Sequence, residues 1–198
     1  MSGHRRLDSL AALTDAELVD RARQGEQAAF ESLFHRHQDR VYTIALGMLG
    51  NPEDSKDVVQ ETFLRAYRRL ASLNGEQGVL AYLCKTASNA SIDLLRKRKG
   101  ARSVSIDDFD ESLLAAWPGQ RPDQAGDQLA MRRALETALA SLSEEHRIVV
   151  VMHHIAGLPV DEIAAELRLP VGTVKSRLGR GREALRRKLP MFGDKEDA

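Results

Sequence analysis

The sequence predicts an all-α protein made of two small helical domains joined by a flexible acidic linker. Apolar residues recur at helical spacing along most of the 198 residues, and Val, Ile and Thr form no alternating, strand-like runs. Residues 103–128 contain six acidic residues and one basic residue, together with two prolines and two glycines, a composition typical of an extended linker. Residues 168–188 carry eight basic residues and one acidic residue, which indicates a surface that binds phosphate groups.

The composition excludes several classes of protein. Hydrophobic residues make up 42% of the chain, as in folded domains rather than disordered ones. The single cysteine, Cys84, excludes an internal disulfide framework and a cysteine-rich zinc module. The N-terminus lacks the apolar core of a signal peptide, and no stretch approaches about 18 apolar residues. We therefore expect a cytoplasmic protein that does not insert into a membrane.

The N-terminal half begins with a capped helix and a second, longer one. Thr14 with Glu17 three positions later is typical of a capping box, and a break is expected at Gln24–Gly25. Gly50 ends this unit, and Pro52 can occupy the first turn of the next helix. The apolar residues of the first two helices fall near one face: Leu18, Ala22, Phe30, Leu33, Phe34, Val41, Ile44, Ala45 and Met48.

Two further helices complete this half. The helix that follows Pro52 is marked by Val58, Val59, Phe63, Tyr67 and Leu70. Periodicity predicts that Val59 and Phe63 point inward, while one outer surface is shared by Asp57, Gln60, Glu61 and Leu64. A loop flanked by glycines covers residues 74–78, and another helix runs from about Val79 to Lys99. The linker that follows has at most a short helix around residues 111–116.

Helical periodicity resumes at Leu129 and continues to about Leu189. Pro159 opens a helix whose first turn is acidic, which suits the helix dipole, and its buried side is formed by Ile163, Ala164 and Leu167. Residues 169–173 form a turn, and a second helix starts near Thr173. Within about 60° of Val174 on that helix lie Leu178, Gly181, Leu185 and Leu189.

The opposite side of this second helix is basic and polar. It carries Lys175, Ser176, Gly179, Arg180, Glu183, Arg186 and Arg187. An apolar back, a basic front and polar residues near the N-terminus match a helix-turn-helix that places its second helix in the major groove of DNA. A small three-helix bundle has the same apolar pattern, so the prediction of DNA binding depends on the turn spacing together with the charge.

The same segment resembles a known family. DEIA at 161–164, followed by PVGTVKSR at 170–177, is similar to the promoter-reading C-terminal domain of extracytoplasmic-function (ECF) sigma factors. SLSEEHR at 141–147 resembles the entry to the preceding helix, with Ser143 where the family often has Pro. The resemblance implies binding of the upstream promoter element by Thr173, Lys175, Ser176, Arg177, Gly179, Arg180 and Arg187.

The N-terminal half resembles the same family independently. DVVQETFLRAYR at 57–68 is a near-complete match to the stretch that binds the clamp helices of the large RNA polymerase subunit. The resemblance implies that core polymerase is bound through Asp57, Gln60, Glu61 and Leu64, and that the polymerase flap is a second contact. An acidic and amide surface suits a basic partner; the alternative is an ordinary solvated helix face.

AYLCKTASNASIDLLR at 81–96 resembles the family helix that holds single-stranded DNA of the downstream promoter element. The resemblance implies DNA contacts by Asn74, Tyr82, Lys85, Asn89, Arg96 and Lys97. An amide can bond a base edge and cations can neutralise phosphates. The sequence departs from the family at Tyr82, where Trp is usual, at Cys84, where an aromatic is usual, and at Ser88, where Arg or Val is frequent.

Other chemistry is less well supported. His35 and His37 do not share a helix face, and His153 and His154 are adjacent, so surface or structural histidines are favoured over a metal site. Cys84 lies in an apolar stretch that favours a buried thiol over a redox sensor. We find no phosphate-cradling loop and no nucleophile motif, and therefore predict no catalytic residue and no cofactor.

Three segments follow: an N-terminal sigma domain at 15–102, a linker at 103–128 and a C-terminal sigma domain at 129–190. The resemblance implies a factor that directs RNA polymerase to a two-part promoter and initiates strand opening there. It also implies an anti-sigma factor as a partner. The alternative is a stand-alone helix-turn-helix regulator whose N-terminal half senses a ligand or dimerises.

Overall fold

A computed structural model describes residues 10, 12–73, 78–101 and 127–188. Its helices are α1 (Asp15–Arg23), α2 (Gln27–Leu49), α3 (Pro52–Arg68), α4 (Val79–Ala101), α5 (Asp127–Ala140), α6 (Glu144–Val150), α7 (Val160–Leu167) and α8 (Val171–Lys188). A 3₁₀ turn at Leu70–Ser72 follows α3, and a π-helical turn at Val151–Ile155 continues α6. No strand occurs within these ranges, which confirms the predicted all-α class.

Local signals set the ends of the first helices. Thr14 and Glu17 form the predicted capping box at α1. Gly50 adopts a left-handed conformation with φ 65° where α2 ends, a conformation that suits glycine. The Asn51 side chain accepts hydrogen bonds from the backbone N–H groups of Glu53 and Asp54 at the start of α3. These caps confirm the predicted boundaries around residues 14–25 and 50–52.

The first bundle comprises α1–α4, with α2 packed against α1, α3 and α4. Its core buries Leu18, Val19, Leu33, Val41, Ile44, Met48, Val58, Phe63 and Leu83. Val59 and Phe63 point inward as the periodicity predicts, whereas Tyr67, which the apolar pattern also marks, is 55% exposed. Tyr67 instead covers the edge of Phe30, with ring centroids 5.1 Å apart.

The second bundle comprises α5–α8, and its core buries Leu139, Val149, Val150, Met152, Ile163, Val174 and Leu178. Helix α5 begins at Asp127, two residues before the predicted return of periodicity at Leu129. The linker's remaining residues and its predicted short helix near 111–116 lie outside the described ranges.

The two bundles pack directly against each other. Helix α2 of the first bundle lies against α5, α6 and the π-helical turn of the second. A Cβ atom at Gly47 of α2 would lie only 2.9 Å from Val151 Cγ2, so the two backbones approach closely there. The buried residues of both bundles consequently form one continuous hydrophobic cluster.

Candidate nucleic-acid interface

Helix α8 begins earlier than the sequence predicts. The predicted start is near Thr173, but the carbonyl of Pro170 accepts hydrogen bonds from the backbone N–H groups of Thr173 and Val174, and the helix begins at Val171. Gly172 lies in this first turn, and nothing lies within 4 Å of where its Cβ would be, so packing does not require a glycine there. The predicted turn at 169–173 is therefore shorter, and Thr173 lies inside the first turn of α8.

The two sides of α8 match the predicted division. Val174, Leu178 and Gly181 are buried against α6. Lys175, Ser176, Arg180 and Arg187 are exposed, and Thr173 and Gly179 are half-buried. The packing fixes the back of the helix, so the exposed basic side is held facing outward.

Arg177 differs from the other basic residues of α8. Its Nη2 lies 2.7 Å from Glu145 Oε2, and its side chain is only 22% exposed. Arg177 therefore links α8 to the first turn of α6, a contact that helical periodicity cannot reveal because its partner lies 32 residues earlier. Its guanidinium is already paired within the second bundle.

Helix α4 carries the predicted downstream-element residues. Tyr82, Lys85, Asn89 and Arg96 lie on one face because their successive spacings of three, four and seven residues correspond to nearly whole turns. Lys85, Arg96 and Lys97 are exposed, and Tyr82 packs partly buried against the core. The structure thus brings these residues together, while Asn74 lies outside the described ranges.

The opposite side of α4 is held in the core. Ser88 and Ser91 are fully buried, and their hydroxyls donate to the backbone carbonyls of Cys84 and Ala87. Cys84 is 2% exposed, and burial raises the pKa of its thiol above the ordinary value. The predicted burial of Cys84 is therefore confirmed, and its environment favours the protonated thiol over the reactive thiolate.

The α4 face contacts two acidic residues that sequence reasoning missed. Lys85 Nζ lies 3.0 Å from Glu162 Oε2, and Asn89 Nδ2 donates to Glu166 Oε1 at 3.3 Å. Arg96 Nη2 donates to the backbone carbonyl of Glu166 at 2.6 Å. From the sequence, Glu162 is expected only to interact favourably with the dipole of its own helix. No local sequence signal shows that it also contacts Lys85, which lies 77 residues earlier in the chain.

Helix α3 presents the predicted polymerase-binding surface. Asp57, Gln60 and Leu64 are exposed, and Leu64 has an exposed fraction of 44%. Glu61 is half-buried, with Oε1 2.7 Å from Arg65 Nε. Exposed Tyr67 lies one turn beyond Leu64, so an apolar strip runs beside the polar surface.

Two of the described histidines, His37 and His153, have structural partners. His37 is 8% exposed, and its Nε2 lies 2.7 Å from Asp15 Oδ2, which joins α2 to α1. His153 lies within the π-helical turn, and its Nδ1 is 2.9 Å from the carbonyl oxygen of Leu158, three residues beyond the end of that turn. Within the described ranges, no three His, Cys, Asp or Glu side chains form a group that could hold a metal ion.

None of the described helices combines the length and apolar character needed to cross a bilayer.

Two family profiles match the sequence. Sigma-70 region 2 matches residues 33–101, and Sigma-70 region 4 matches residues 132–185. The first match covers α3, α4 and most of α2, and the second covers the bundle that contains α8. Both halves therefore match parts of one family in the order in which they occur.

Relatives that match over nearly their whole length are sigma factors as well. The chain is 31% identical over 176 residues to ECF RNA polymerase sigma factor SigW of Bacillus subtilis, covering 86% of this chain and 94% of that protein. It is 33% identical over 182 residues to the ECF RNA polymerase sigma-E factor of Escherichia coli K12, covering 89% and 95%.

Solved structures show the same architecture. A chain in the structure of CnrH in complex with the cytosolic domain of CnrY matches with a TM-score of 0.52 and 28% identity, over 91% of this chain and 98% of that one. The complex of sigma factor RpoE with anti-sigma factor NepR from Bartonella quintana gives a TM-score of 0.55 at 22% identity, over 81% and 96%. A stand-alone regulator would not match these full-length relatives across both bundles. The chain belongs to the ECF RNA polymerase sigma factors, the alternative sigma factors that direct RNA polymerase to promoters.

Proposed function

We propose that the two bundles divide promoter recognition between them. The N-terminal domain, 15–102, binds core polymerase and the downstream element and starts strand opening, and the C-terminal domain, 129–190, reads the upstream element. The linker, 103–128, spans the two. The observation that carries this proposal is the orientation of α8, whose apolar back is fixed against α6 while its basic front is exposed.

The front of α8 suits the major groove of duplex DNA. Lys175, Ser176 and Arg180 offer donors near the N-terminal half of the helix, and Arg187 adds a cation beyond them. A bidentate arginine contact to guanine contributes about 1–3 kcal/mol of discrimination, and lysine contacts to phosphate add affinity without sequence information. Thr173 and Gly179 allow close approach of the backbone, and Arg177 holds the helix through Glu145.

The α4 face suits single-stranded DNA. Asn89 can both donate to and accept from a base edge, and its Oδ1 is buried without a hydrogen-bond partner within the described residues. Lys85, Arg96 and Lys97 are placed to neutralise phosphates, Tyr82 supports the helix by packing, and Asn74 belongs to the neighbouring loop. Base recognition by Asn89 then stabilises the melted strand.

The α3 surface suits the clamp helices of the large polymerase subunit. Asp57, Gln60 and Glu61 supply the polar contacts and Leu64 the apolar one, a mixture that gives both electrostatic steering and burial. The C-terminal domain binds the polymerase flap.

An anti-sigma factor is the third partner, since the Bartonella structure has such a factor bound to a sigma factor of the same fold.

The chain itself catalyses no reaction, because polymerase performs the chemistry. It acts in the cytoplasm, where polymerase and chromosome lie.

A reconstituted transcription assay tests whether the chain directs polymerase to promoters. Core polymerase from the same organism should produce specific run-off transcripts from its genomic DNA fragments only when the chain is added.

Three variants assign the surfaces. Arg180→Ala should lose upstream-element binding, Asn89→Ala should lose binding to the downstream strand, and Asp57→Lys with Glu61→Lys should weaken association with core. A pre-melted template should not rescue Asn89→Ala, because base recognition is lost rather than opening alone. Normal single-strand binding by folded Asn89→Ala, normal upstream binding by Arg180→Ala, or unchanged core affinity would each remove the corresponding assignment.

A further inference from the structure

One arginine of α1 holds both ends of the 3₁₀ turn that follows α3. Arg23 Nε donates to the backbone carbonyl of Leu70 at 3.0 Å, and Arg23 Nη2 donates to the backbone carbonyl of Leu73. Leu70 begins the turn, and Leu73 is the first residue beyond it, with extended backbone at φ −71° and ψ 111°. A single guanidinium therefore spans the point where the chain leaves its helical conformation.

The chemistry of arginine suits this position. Carbonyl groups at the end of a helical segment lack partners within the segment and interact favourably with a cation. The planar fork of a guanidinium can donate to two acceptors at once, whereas a lysine ammonium is a single point charge. Asp20 Oδ1 lies 3.0 Å from Arg23 Nη1, one turn earlier on α1, and orients the guanidinium towards the two carbonyls.

The turn held by Arg23 leads directly to the residues proposed to bind the downstream strand. Leu73 is buried and is bonded to Asn74, which the proposed function assigns to that strand. At the other end of the 74–78 segment, the carbonyl of Gly78 accepts a hydrogen bond from the backbone N–H of Tyr82, so this end is tied to α4. Arg23 ties the first end to α1.

We propose that Arg23 is a positioning residue for recognition of the downstream strand. By holding the carbonyls of Leu70 and Leu73, it fixes the point from which the chain continues to Asn74, and it does so without touching DNA. The inference rests on the proposed function of this region. It extends that function to α1, which has no part in the promoter contacts proposed above.

Strand discrimination by the holoenzyme tests this role. The probe is a fluorescein-labelled single strand that carries the downstream element of a promoter mapped in the run-off assay, and it is compared with a scrambled strand of equal length and composition. Arg23→Ala, bound to core polymerase, should lose about tenfold of the affinity ratio between the two strands, as expected for one misplaced base contact. Arg23→Lys should lose less, because it keeps the charge and can donate to one carbonyl.

The affinity ratio separates positioning from stability. Below the unfolding transition, a less stable but folded chain keeps its ratio, since both strands bind the same folded fraction. Affinity for the scrambled strand should change little in Arg23→Ala, because the cations that contact phosphates are all retained.

Arg36→Ala is the matched control. Arg36 Nη1 also pairs with an aspartate, Asp15 Oδ1 at 2.7 Å, and Arg36 Nη2 donates to a backbone carbonyl, that of Leu13 at 2.8 Å. The side chains of Arg36 and Arg23 are 29% and 35% exposed, but the contacts of Arg36 lie at the opposite end of α1. Arg36→Ala should therefore lower the midpoint of thermal unfolding as Arg23→Ala does, and should keep the affinity ratio of wild type.

The outcomes separate the inference from the proposed function. An unchanged ratio in Arg23→Ala, with a lost ratio in Asn89→Ala, would overturn the inference and leave the proposed function intact. Equal loss in Arg23→Ala and Arg36→Ala would show a general effect of docking α1 and would also overturn the inference. An unchanged ratio in Asn89→Ala would show that the proposed function has failed, and the inference with it. If circular dichroism shows that Arg23→Ala does not fold, Arg23→Lys takes its place, and a wild-type ratio in Arg23→Lys then overturns the inference.

Discussion

Gly181 lies where α8 crosses α6, and its missing side chain sets how closely the two helices pack. A Cβ at this position would lie 2.6 Å from Val150 Cγ2. Gly181→Ala should therefore force the helices apart and destabilise the chain by about 1–3 kcal/mol. Urea unfolding followed by circular dichroism measures this change.

Gly179 provides the matched control on the same helix. Nothing lies within 4 Å of its would-be Cβ, so Gly179→Ala should gain helix propensity, up to about 1 kcal/mol. If both substitutions changed the free energy of unfolding in the same direction, the close packing at Gly181 would not be the cause.

Cys84 also has a residue-scale consequence. Burial raises the pKa of the thiol, so the thiolate that reacts with iodoacetamide is scarcer than in an exposed cysteine. At about pH 8, labelling of the native chain should be much slower than labelling in urea, as measured by mass spectrometry. Similar rates in both conditions would contradict the buried position.

At the scale of single helices, the cap of α3 is the clearest test. Asn51 accepts hydrogen bonds from the backbone N–H groups of Glu53 at 2.9 Å and Asp54 at 3.1 Å. Asn51→Ala should cost about 1 kcal/mol of folding stability, since two N–H groups lose their acceptor. The mid-point of thermal or urea unfolding reports this loss.

Glu26 is the corresponding control, because it precedes α2 without any side-chain capping bond. Its ion pair with Arg21 is long, at 3.7 Å, and only partly shielded from water, so it contributes little and Glu26→Ala should change stability much less. A loss equal to that of Asn51→Ala would indicate that the cap bonds do not stabilise α3.

Helix starts and faces could be predicted from the sequence because their causes are local. Thr14, Gly50 and Asn51 act within four residues of themselves, and the buried and exposed sides of α8 follow from the periodicity around Val174. The helix α8 begins two residues before the predicted start because Gly172, a residue typical of turns, lies within its first turn. The π-helical turn at Val151–Ile155 was missed, since its pattern of apolar residues does not differ from that of a regular helix end.

The candidate site could be predicted only in part, because some of its contacts join residues far apart in the chain. Lys85, Asn89 and Arg96 share a face that follows from their spacing. Their partners, Glu162 and Glu166, depend on how two bundles pack across the linker, and neither periodicity nor charge composition carries that information. The DNA contact of Arg177 stays a prediction, and its pairing with Glu145 is likewise non-local and could not be predicted.

For the molecule as a whole, the packing of the bundles predicts the behaviour of a cleaved chain. The composition of residues 103–128 predicts protease sensitivity and fragments near 1–102 and 129–198. Because α2 lies against α5, α6 and the π-helical turn, the two fragments should remain associated after cleavage. Size-exclusion chromatography followed by denaturing electrophoresis checks this.

The variant Glu162→Gln with Glu166→Gln should release the fragments more readily at the same salt concentration, because it weakens the contact with α4. Separate elution of the wild-type fragments would indicate that the packing around Gly47 and Val151 does not hold the bundles together. Resistance of the linker to protease would contradict the composition-based prediction instead.

The exposure of the Lys85–Glu162 pair also has a consequence for the response of the packed bundles to salt. The two side chains keep 48% and 40% exposure, so dissolved ions screen their attraction. The contact between Gly47 and Val151 is apolar and is not screened. Raising the salt concentration should therefore weaken the contact of α4 with α7 while the packing of α2 against the π-helical turn is retained.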